Sequence, residues 1–309
     1  MLAGPGSGKT RTITYRTKYL IEHYKVNPSS ILVITFTKAA AMEMKQRFFT
    51  MTDKKYVTVS FGTFHAVFFG ILRHAYGYTA DNIIREEQKN RFLKEEISHM
   101  DLEIEDEAEF IQIIAGEISH VKNERKNILE YEALSCDVKS FRKLYQKYDN
   151  MLRRQNQIDF DDMLVYTYEL FSQRKDILRA WQNKFQYILI DETQDMNQLQ
   201  YDIVKLLAAP NNNIFMVGDD DQSIYRFRGA KPEIMLGFER DYPEAKRILL
   251  DVNYRSRKQI VEAAIKVINH NDDRFAKEIK ASRSQGQPVI TAVFDHQKEE
   301  YACMIEKIL

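Results

Sequence analysis

The sequence opens with a glycine-rich run that ends in a lysine and a threonine. The run consists of Leu2, Ala3, Gly4, Pro5, Gly6, Ser7, Gly8, Lys9 and Thr10. Its glycines let the backbone bend tightly and turn N–H groups toward an anion, and a helix from Arg11 to His23 would point its positive end at the same place. In such loops the lysine contacts the β- and γ-phosphates and the hydroxyl binds Mg²⁺. The run therefore predicts a phosphate-binding loop.

A loop of this type normally follows a buried strand, which constrains the fold around it. Only Met1 and Leu2 precede the loop here. We expect either a very short strand or, in our preferred interpretation, a natural chain that begins further upstream.

Short apolar runs along the chain, each followed by a polar or glycine-containing turn, are typical of buried parallel strands. These runs are Ile31–Ile34, Tyr187–Ile190, Ile214–Val217 and Arg247–Leu250, and a fifth, Val57–Phe61, alternates more strongly. Helical patterns such as Ala39–Phe49 and Gln198–Leu207 separate them. This order predicts an α/β fold with a doubly wound parallel sheet, whose ligands bind at the carboxyl ends of the strands.

The stretch 78–157 differs from the rest because it is rich in charged residues and Gln, has apolar residues at helical spacing and shows no convincing strand. It is too long for one crossover, so we expect a helical insertion subdomain. Residues 1–77 and 158–281 would then form the first α/β domain. Residues 282–309 would begin a second one, with a strand at Gln287–Phe294 and a helix at Lys298–Leu309, and could hardly bury a core of their own.

The charge balance and cysteine content exclude several classes of protein. Lys and Arg number 45, as do Asp and Glu, so the net charge is zero, which argues against a polyanion-binding tail but permits a local basic groove. Cys136 and Cys303 lack metal-ligand spacing and fit a reducing cytosol, so we expect a cytoplasmic protein. No apolar run has the length of a membrane span, no signal peptide is visible, and the histidines form no zinc signature.

Paired carboxylates follow the second of the apolar runs. Asp191 and Glu192 come directly after Ile188–Ile190, at the edge where the phosphate-binding loop is expected. Asp191 can hold Mg²⁺ opposite Thr10, and Glu192 is placed to deprotonate an attacking water. A solvated acidic turn is the alternative, and the Gly-Lys-Thr sequence upstream favours the nucleotide site.

Two later segments add polar and aromatic groups after strands. Gln222 suits contact with a γ-phosphate or its water. Tyr225 and Phe227 alternate with Arg226 and Arg228, a mixture that suits single-stranded nucleic acid because bases stack on rings and phosphates pair with guanidinium groups. Further on, Tyr254 can stack on an adenine and Arg255 can act as an arginine finger.

These segments, read in order, resemble the N-terminal motif series of UvrD/Rep-type superfamily 1 DNA helicases. The matching segments are Ala3–Thr10, Ile34–Thr37, Gly62–His65, Asp191–Asp195, Gly218–Tyr225 and Asn253–Ser256, with Ile158–Met163 as a further one. They cover nearly the whole chain, and six motifs in one order make the resemblance specific.

The resemblance implies a RecA-like P-loop ATPase domain, ATP and Mg²⁺ as cofactors, and an ATP-driven 3′→5′ helicase or translocase on single-stranded DNA. The implied catalytic residues are Lys9, Asp191, Glu192, Gln222 and Arg255. The implied nucleotide-binding residues are Gly4, Pro5, Gly6, Ser7, Gly8, Lys9, Thr10, Arg11 and Tyr254, with Thr10 and Asp191 at the metal. The implied DNA contacts are Thr35, Thr63, Phe64, His65, Tyr225, Phe227 and Arg228, with base stacking on Phe64, Tyr225 and Phe227.

The sequence also departs from the family pattern. The family often has Asn-Lys-Ala-Ala after Thr37, where this chain has Lys38 to Ala41, so no DNA contact is carried over to these four positions. The adenine-binding Gln motif and the later motifs of a second RecA-like domain are not in the sequence. We therefore expect the N-terminal motor portion of a helicase, truncated at both ends. Such a portion would bind ATP and single-stranded DNA weakly and would not unwind duplexes without the rest of the protein.

Other functions stay open at this point. The chain can be the motor part of an AddA-type helicase–nuclease, or a nucleotide-dependent DNA-binding module without productive hydrolysis. A P-loop kinase is the weakest alternative, because it gives no reason for the cluster from Tyr225 to Arg228.

Overall fold

A parallel β-sheet forms the centre of the structure. The computed structural model describes residues 1–100 and 104–309, apart from the side chain of Arg228. Its strands are β1 (Leu2–Ala3), β2 (Ile31–Thr35), β3 (Ser60–Thr63), β4 (Tyr187–Ile190), β5 (Ile214–Met216), β6 (Leu249–Leu250), β7 (Val252–Arg257) and β8 (Lys280–Arg283). Four of them form one parallel sheet in the order β3-β2-β4-β5. The predicted α/β fold with a parallel sheet is confirmed.

The strand before the glycine-rich loop is present but only two residues long. Leu2 of β1 pairs in parallel with Leu249 of β6, and on its other side forms a parallel bridge to Gly218, just after β5. The Ala3 N–H donates to the Gly218 carbonyl at 3.0 Å. β1 therefore lies between the ends of β5 and β6, and the loop that follows it starts at the carboxyl edge of the sheet.

Helices cover both faces of this sheet. The helices of the described chain are α1 (Lys9–Glu22), α2 (Lys38–Met51), α3 (Phe64–Tyr76), α4 (Glu86–Ser98), α5 (Glu107–Asn123), α6 (Val138–Arg154), α7 (Phe160–Gln173), α8 (Lys175–Lys184), α9 (Gln198–Ala208), α10 (Glu233–Leu236), α11 (Phe238–Asp241), α12 (Lys258–Ile268) and α13 (Gln297–Ile308). One buried cluster joins α3, α7, α8 and α9 to the sheet, and a second joins α1 and α2 to the opposite face. None of the described helices is both long and apolar enough to cross a membrane.

Helices α4, α5 and α6 have a separate hydrophobic cluster. It includes Leu93, Ile118, Phe141 and Tyr148, all fully excluded from solvent. Most charged residues on these helices face outward while one face of each packs inward, which is the amphipathic pattern seen in the sequence. Lys89, Glu117 and Lys122 are buried exceptions.

The structure corrects three predicted strands. β3 begins at Ser60 rather than Val57, and the run Arg247–Leu250 contributes only two residues to β6. The predicted strand Gln287–Phe294 is wrong: no strand forms there, and Val293 is 91% exposed. A strand needs a neighbouring strand for its hydrogen bonds, and β7, which could have been that neighbour, pairs with β8 instead. The helix expected at the same end is present as α13.

Candidate nucleotide and nucleic-acid site

The carboxyl ends of β1 and β4 bring the glycine-rich loop and the paired carboxylates together. We call this set, Gly4–Thr10 with Asp191 and Glu192, the nucleotide edge. Lys9 Nζ lies 3.0 Å from Glu192 Oε2, and the Lys9 residue is only 9% exposed. The Thr10 hydroxyl lies close enough to the Asp191 carboxylate to counter the rise of its pKa. The structure thus brings four of the predicted site residues to the same edge of the sheet, with Lys9 and Glu192 in direct contact.

The loop itself depends on glycines at two left-handed positions. Gly8 caps α1 with φ 90° and Gly6 has φ 67°, a region that side chains rarely adopt. A Cβ on Gly6 would stand 2.7 Å from the Arg255 Cβ, so the close approach also requires glycine. The Ser7 hydroxyl donates to the Gly4 carbonyl at 2.6 Å and closes the turn.

One buried oxygen of Asp191 has no hydrogen-bond partner among the described residues. Asp191 is 3% exposed, and its Oδ1 atom is the unpaired one. Burial is the main cause that raises the pKa of Asp191 to about 6, and the charge of the neighbouring Glu192 adds to it. An orphaned carboxylate oxygen next to a threonine hydroxyl fits a hard cation such as Mg²⁺. The described residues contain no cluster of three or more His, Cys, Asp or Glu placed for a metal, so other ligands of such an ion would be phosphate and water.

Glu192 is held in a strained conformation. Its φ of 50° and ψ of 45° lie in the left-handed region, which costs a non-glycine residue about 1–3 kcal/mol and is concentrated at functional sites. The Gln194 amide donates to Glu192 Oε2 at 2.9 Å and fixes the carboxylate from the other side. Glu192 keeps 35% side-chain exposure, so a water molecule can reach it.

Asp195 lies beside this pair and shares its environment. Its Oδ1 atom is buried without a hydrogen-bond partner among the described residues. Burial, and then the charge of Glu192, raise the pKa of Asp195 to about 6.

Gln222 reaches the same edge from the turn after β5. Its side-chain amide donates to Asp219 Oδ2 at 2.6 Å, and its backbone N–H donates to the Asp219 carbonyl. The Asp219 N–H in turn donates to Gln194 Oε1 at 3.0 Å. Gln194 therefore connects the carboxylate of Glu192 to the segment that carries Gln222.

The segment around β7 packs directly on the glycine-rich loop. Asn253 is 3% exposed and donates from Nδ2 to the Pro5 carbonyl at 2.7 Å, and the Tyr254 N–H donates to the Gly6 carbonyl at 3.0 Å. Tyr254 and Arg255 are exposed beside the loop, where a nucleotide could meet them. Arg11 is also exposed, with its guanidinium 5.4 Å from the Tyr15 ring centroid.

A cleft of about 830 Å³ runs from the nucleotide edge along the ends of the strands. Its lining includes Thr35, His65, Glu192, Gln222 and Tyr225. Burial lowers the pKa of His65 and so favours a neutral ring, although the charge of Asp161 acts in the opposite direction. The cleft therefore presents neutral donors and aromatic groups close to the Glu192 carboxylate.

The remaining predicted DNA contacts divide into exposed and buried positions. Tyr225 and Phe227 lie with their ring centroids 6.1 Å apart, and Phe227 is 78% exposed. The Thr63 hydroxyl accepts from the Ala66 N–H and so caps α3. The side chain of Arg228 lies outside the described part of the chain.

Phe64, a predicted DNA contact, does not line the cleft. It is 1% exposed, and its ring packs edge-on against Phe36 and near Phe68 in the core. Base stacking requires an exposed ring face, so the structure corrects this expectation.

Sequence reasoning missed three residues that organise the site. Gln194 and Asp219 lie inside the motifs, and their polar side chains next to buried strands were a usable signal. Asn253 was also in a motif, but nothing in its sequence context showed that it would hold the Pro5 carbonyl. Its contact spans 248 positions in sequence and only the fold reveals it.

Comparison with known proteins decides the family. Residues 1–243 match the UvrD/REP helicase N-terminal domain, and residues 248–309 match the UvrD-like helicase C-terminal domain. The chain belongs to the UvrD/REP helicase family. The suspected resemblance is thereby confirmed, and with it the RecA-like fold of the sheet.

Individual relatives of this UvrD/REP family chain align along nearly all of it. YjcD of Bacillus subtilis (strain 168) is 39% identical over 310 residues, which cover 97% of this chain and 40% of YjcD. The ATP-dependent DNA helicase PcrA of Staphylococcus aureus (strain Mu50 / ATCC 700699) is 37% identical over 320 residues, covering 100% of this chain and 43% of PcrA. The chain spans about two fifths of the length of these curated relatives.

Proposed function

We propose that this chain carries the ATP-hydrolysing part of a DNA helicase that moves 3′→5′ along single-stranded DNA. The observation that carries the proposal is the nucleotide edge, where Lys9, Thr10, Asp191 and Glu192 meet at the carboxyl ends of parallel strands. The match to UvrD/REP helicase domains and the name of the PcrA relative support the choice of ATP and DNA as substrates.

The proposed reaction uses each side chain in a defined role. Lys9 binds the β- and γ-phosphates of ATP, and Thr10 with Asp191 would hold Mg²⁺, which neutralises charge on the phosphates when bound. Glu192 accepts a proton from water as the water oxygen bonds to the γ-phosphorus. The bond from that phosphorus to the bridging oxygen breaks, and ADP and phosphate are released.

Other residues of the proposed site distinguish ATP from ADP and hold the base. Gln222 and Arg255 contact the γ-phosphate, and Arg11 with Tyr254 lie beside the nucleoside. Arg255 is exposed next to the loop and makes no ion pair with any residue that the structure describes, so its guanidinium is available to a phosphate.

The proposed DNA path follows the cleft from Thr35 and His65 to Tyr225. Bases stack on Tyr225 and Phe227, while Thr63 and Arg228 lie near the backbone of the strand. We also propose that duplex unwinding requires more protein than these 309 residues, because closing a cleft between two RecA-like domains drives translocation.

Steady-state ATP hydrolysis with and without single-stranded DNA tests the proposal. We expect DNA to raise the rate, Glu192→Gln to abolish turnover, and ATP binding by Glu192→Gln to stay within about twofold of the wild type. Nucleotide binding without any hydrolysis by the wild type in the presence of DNA would favour a nucleotide-dependent binding module instead. Retained turnover in Glu192→Gln would remove Glu192 as the base.

A further inference from the structure

One buried lysine contacts all three aspartates that follow β5. Lys277 Nζ lies 2.7 Å from Asp219 Oδ1, 2.5 Å from Asp220 Oδ1 and 2.9 Å from Asp221 Oδ2. The side chains of Lys277 and Asp219 are both 0% exposed. Burying a charged group is costly unless it is paired and hydrogen-bonded, so the buried lysine and the buried aspartates stabilise one another in the folded chain.

Neighbours of Lys277 complete the pairing. Arg274 binds Asp221 through two hydrogen bonds, of 2.7 and 2.8 Å, and the Phe275 N–H donates to Asp220 Oδ2 at 2.8 Å. Such two-pronged contacts between guanidinium and carboxylate fix geometry as well as charge. Asp220 and Asp221 therefore have partners besides Lys277. Among the described residues, Asp219 Oδ1 receives only one bond besides that from Lys277, a longer one from the Asp221 N–H.

Asp219 is also the residue that holds Gln222. Its second oxygen accepts the Gln222 side-chain amide at 2.6 Å, and its N–H binds Gln194, which contacts Glu192. A continuous chain of hydrogen bonds therefore leads from Lys277 through Asp219 to both polar groups of the proposed hydrolysis site.

Lys277 belongs to the part of the chain that matches the C-terminal helicase domain, whereas Asp219 and Gln222 belong to the N-terminal match. The same C-terminal part contacts the glycine-rich loop through Asn253 and places the Ile279 side chain against Gly4. The two matched regions thus meet at both the loop and Asp219.

We propose that Lys277 is a positioning residue that sets the place of the Gln222 amide through Asp219. Recognition of the γ-phosphate then depends on how the C-terminal region sits against the ATPase sheet. The inference rests on the proposed function, since it assigns Gln222 to the γ-phosphate.

Nucleotide binding by Lys277→Met tests the inference, with ADP and adenylyl imidodiphosphate, a non-hydrolysable ATP analogue, as probes in the presence of Mg²⁺. We expect the affinity for the analogue to fall about tenfold and that for ADP by less than about twofold, because only the γ-phosphate meets Gln222. Lys277→Arg, which keeps the charge, should recover part of the loss. Lys280→Met is the matched control, since Lys280 is exposed on the same segment, and it should change neither affinity.

Gln222→Ala provides the reference for the same loss. We expect Lys277→Met combined with Gln222→Ala to lose no more than Gln222→Ala alone, since both act on one contact. If Lys277→Met does not fold, Asp219→Asn tests the same link, because an asparagine amide has one acceptor oxygen and cannot keep both the Lys277 and the Gln222 contacts as they are, while it keeps the side-chain shape. The inference is overturned if a folded variant keeps the wild-type ratio of the two nucleotide affinities, whether both affinities fall equally or neither falls.

The outcomes separate this inference from the proposed function. A wild-type chain that binds neither nucleotide, or a Gln222→Ala variant that still discriminates them, contradicts the role of Gln222 itself. Discrimination that is lost in Gln222→Ala but intact in both folded Lys277→Met and Asp219→Asn contradicts only the role of Lys277.

Discussion

Two buried clusters of charge in this molecule differ in whether their carboxylates are satisfied. In the first, which we call the joint cluster, Lys122 of α5 lies 2.8 Å from Asp159 and 2.7 Å from Asp162, with all three side chains 5% exposed or less. Tyr148 of α6 donates to Asp159 at 3.0 Å, and each carboxylate also accepts a backbone N–H of the other residue. Every charged oxygen in the joint cluster has a partner.

The nucleotide edge is arranged differently. Among the described residues, Asp191 of the nucleotide edge and its neighbour Asp195 each keep a buried oxygen without a hydrogen-bond partner, and Glu192 is held in a strained backbone conformation. Unpaired buried polar atoms are rare in folded proteins and call for an explanation. The comparison indicates that satisfied charge joins α5 to the start of α7, whereas the unsatisfied carboxylate oxygens at the nucleotide edge are open to the proposed ligand.

Removing the lysine of the joint cluster should give the largest effect. Lys122→Met leaves two buried carboxylates without their cation, so we expect the free energy of unfolding to fall by about 3–5 kcal/mol. Chemical denaturation monitored by circular dichroism measures it. Lys126→Met is the control, because Lys126 is exposed on the same segment. A loss below about 1 kcal/mol would show that the joint cluster does not hold α5 to the start of α7.

Removing the lysine of the nucleotide edge should affect ATP binding strongly and the free energy of unfolding little. We expect Lys9→Met to weaken ATP binding about a hundredfold, because the lysine contacts two phosphates, and to change the unfolding free energy by less than about 1 kcal/mol. Titration with a fluorescent ATP analogue, beside thermal unfolding, measures both. Lys45→Met is the control, because Lys45 is exposed on α2. A large loss of stability with ATP affinity retained would reverse the distinction between the two clusters.

The pH dependence of stability sharpens the comparison further. Burial, and then the charge of Asp159, raise the pKa of Asp162 to about 7. A carboxyl whose pKa is raised on folding binds its proton more tightly in the folded state, so its contribution is present below the unfolded pKa near 4 and is lost as the pH rises through 7. The stability of the wild type relative to Asp162→Asn should therefore be greater at pH 5 than at pH 8, by about 2–3 kcal/mol. A difference that is constant with pH, or that grows toward pH 8, would contradict this.

The parts of the site that the sequence predicted are those where chemistry and backbone are local. The glycines and lysine of the loop are consecutive, and the run before Asp191 shows by itself that a buried strand ends there. Helix boundaries followed from amphipathic spacing, as for α2 and α9. In each case a few adjacent residues contain the whole physical argument.

The parts that could not be predicted depend on contacts between distant residues. Lys277 reaches Asp219 across 58 positions, and Lys122 reaches Asp159 across 37. In sequence both lysines are indistinguishable from those of a solvated surface, since each stands among other charged residues. The motif around Phe64 predicts a base-stacking ring, whereas the packing of α3 buries that ring in the core.

The Mg²⁺ dependence of ATP binding tests most directly whether the unsatisfied edge is a ligand site. Wild type and Asp191→Asn are titrated with a non-hydrolysable ATP analogue, once with Mg²⁺ and once with a chelator, and their folding is checked by thermal unfolding. We expect Mg²⁺ to strengthen binding at least about tenfold in the wild type and by less than about twofold in Asp191→Asn, because that carboxylate carries the oxygen left free for the ion. Equal strengthening in both proteins would contradict the account.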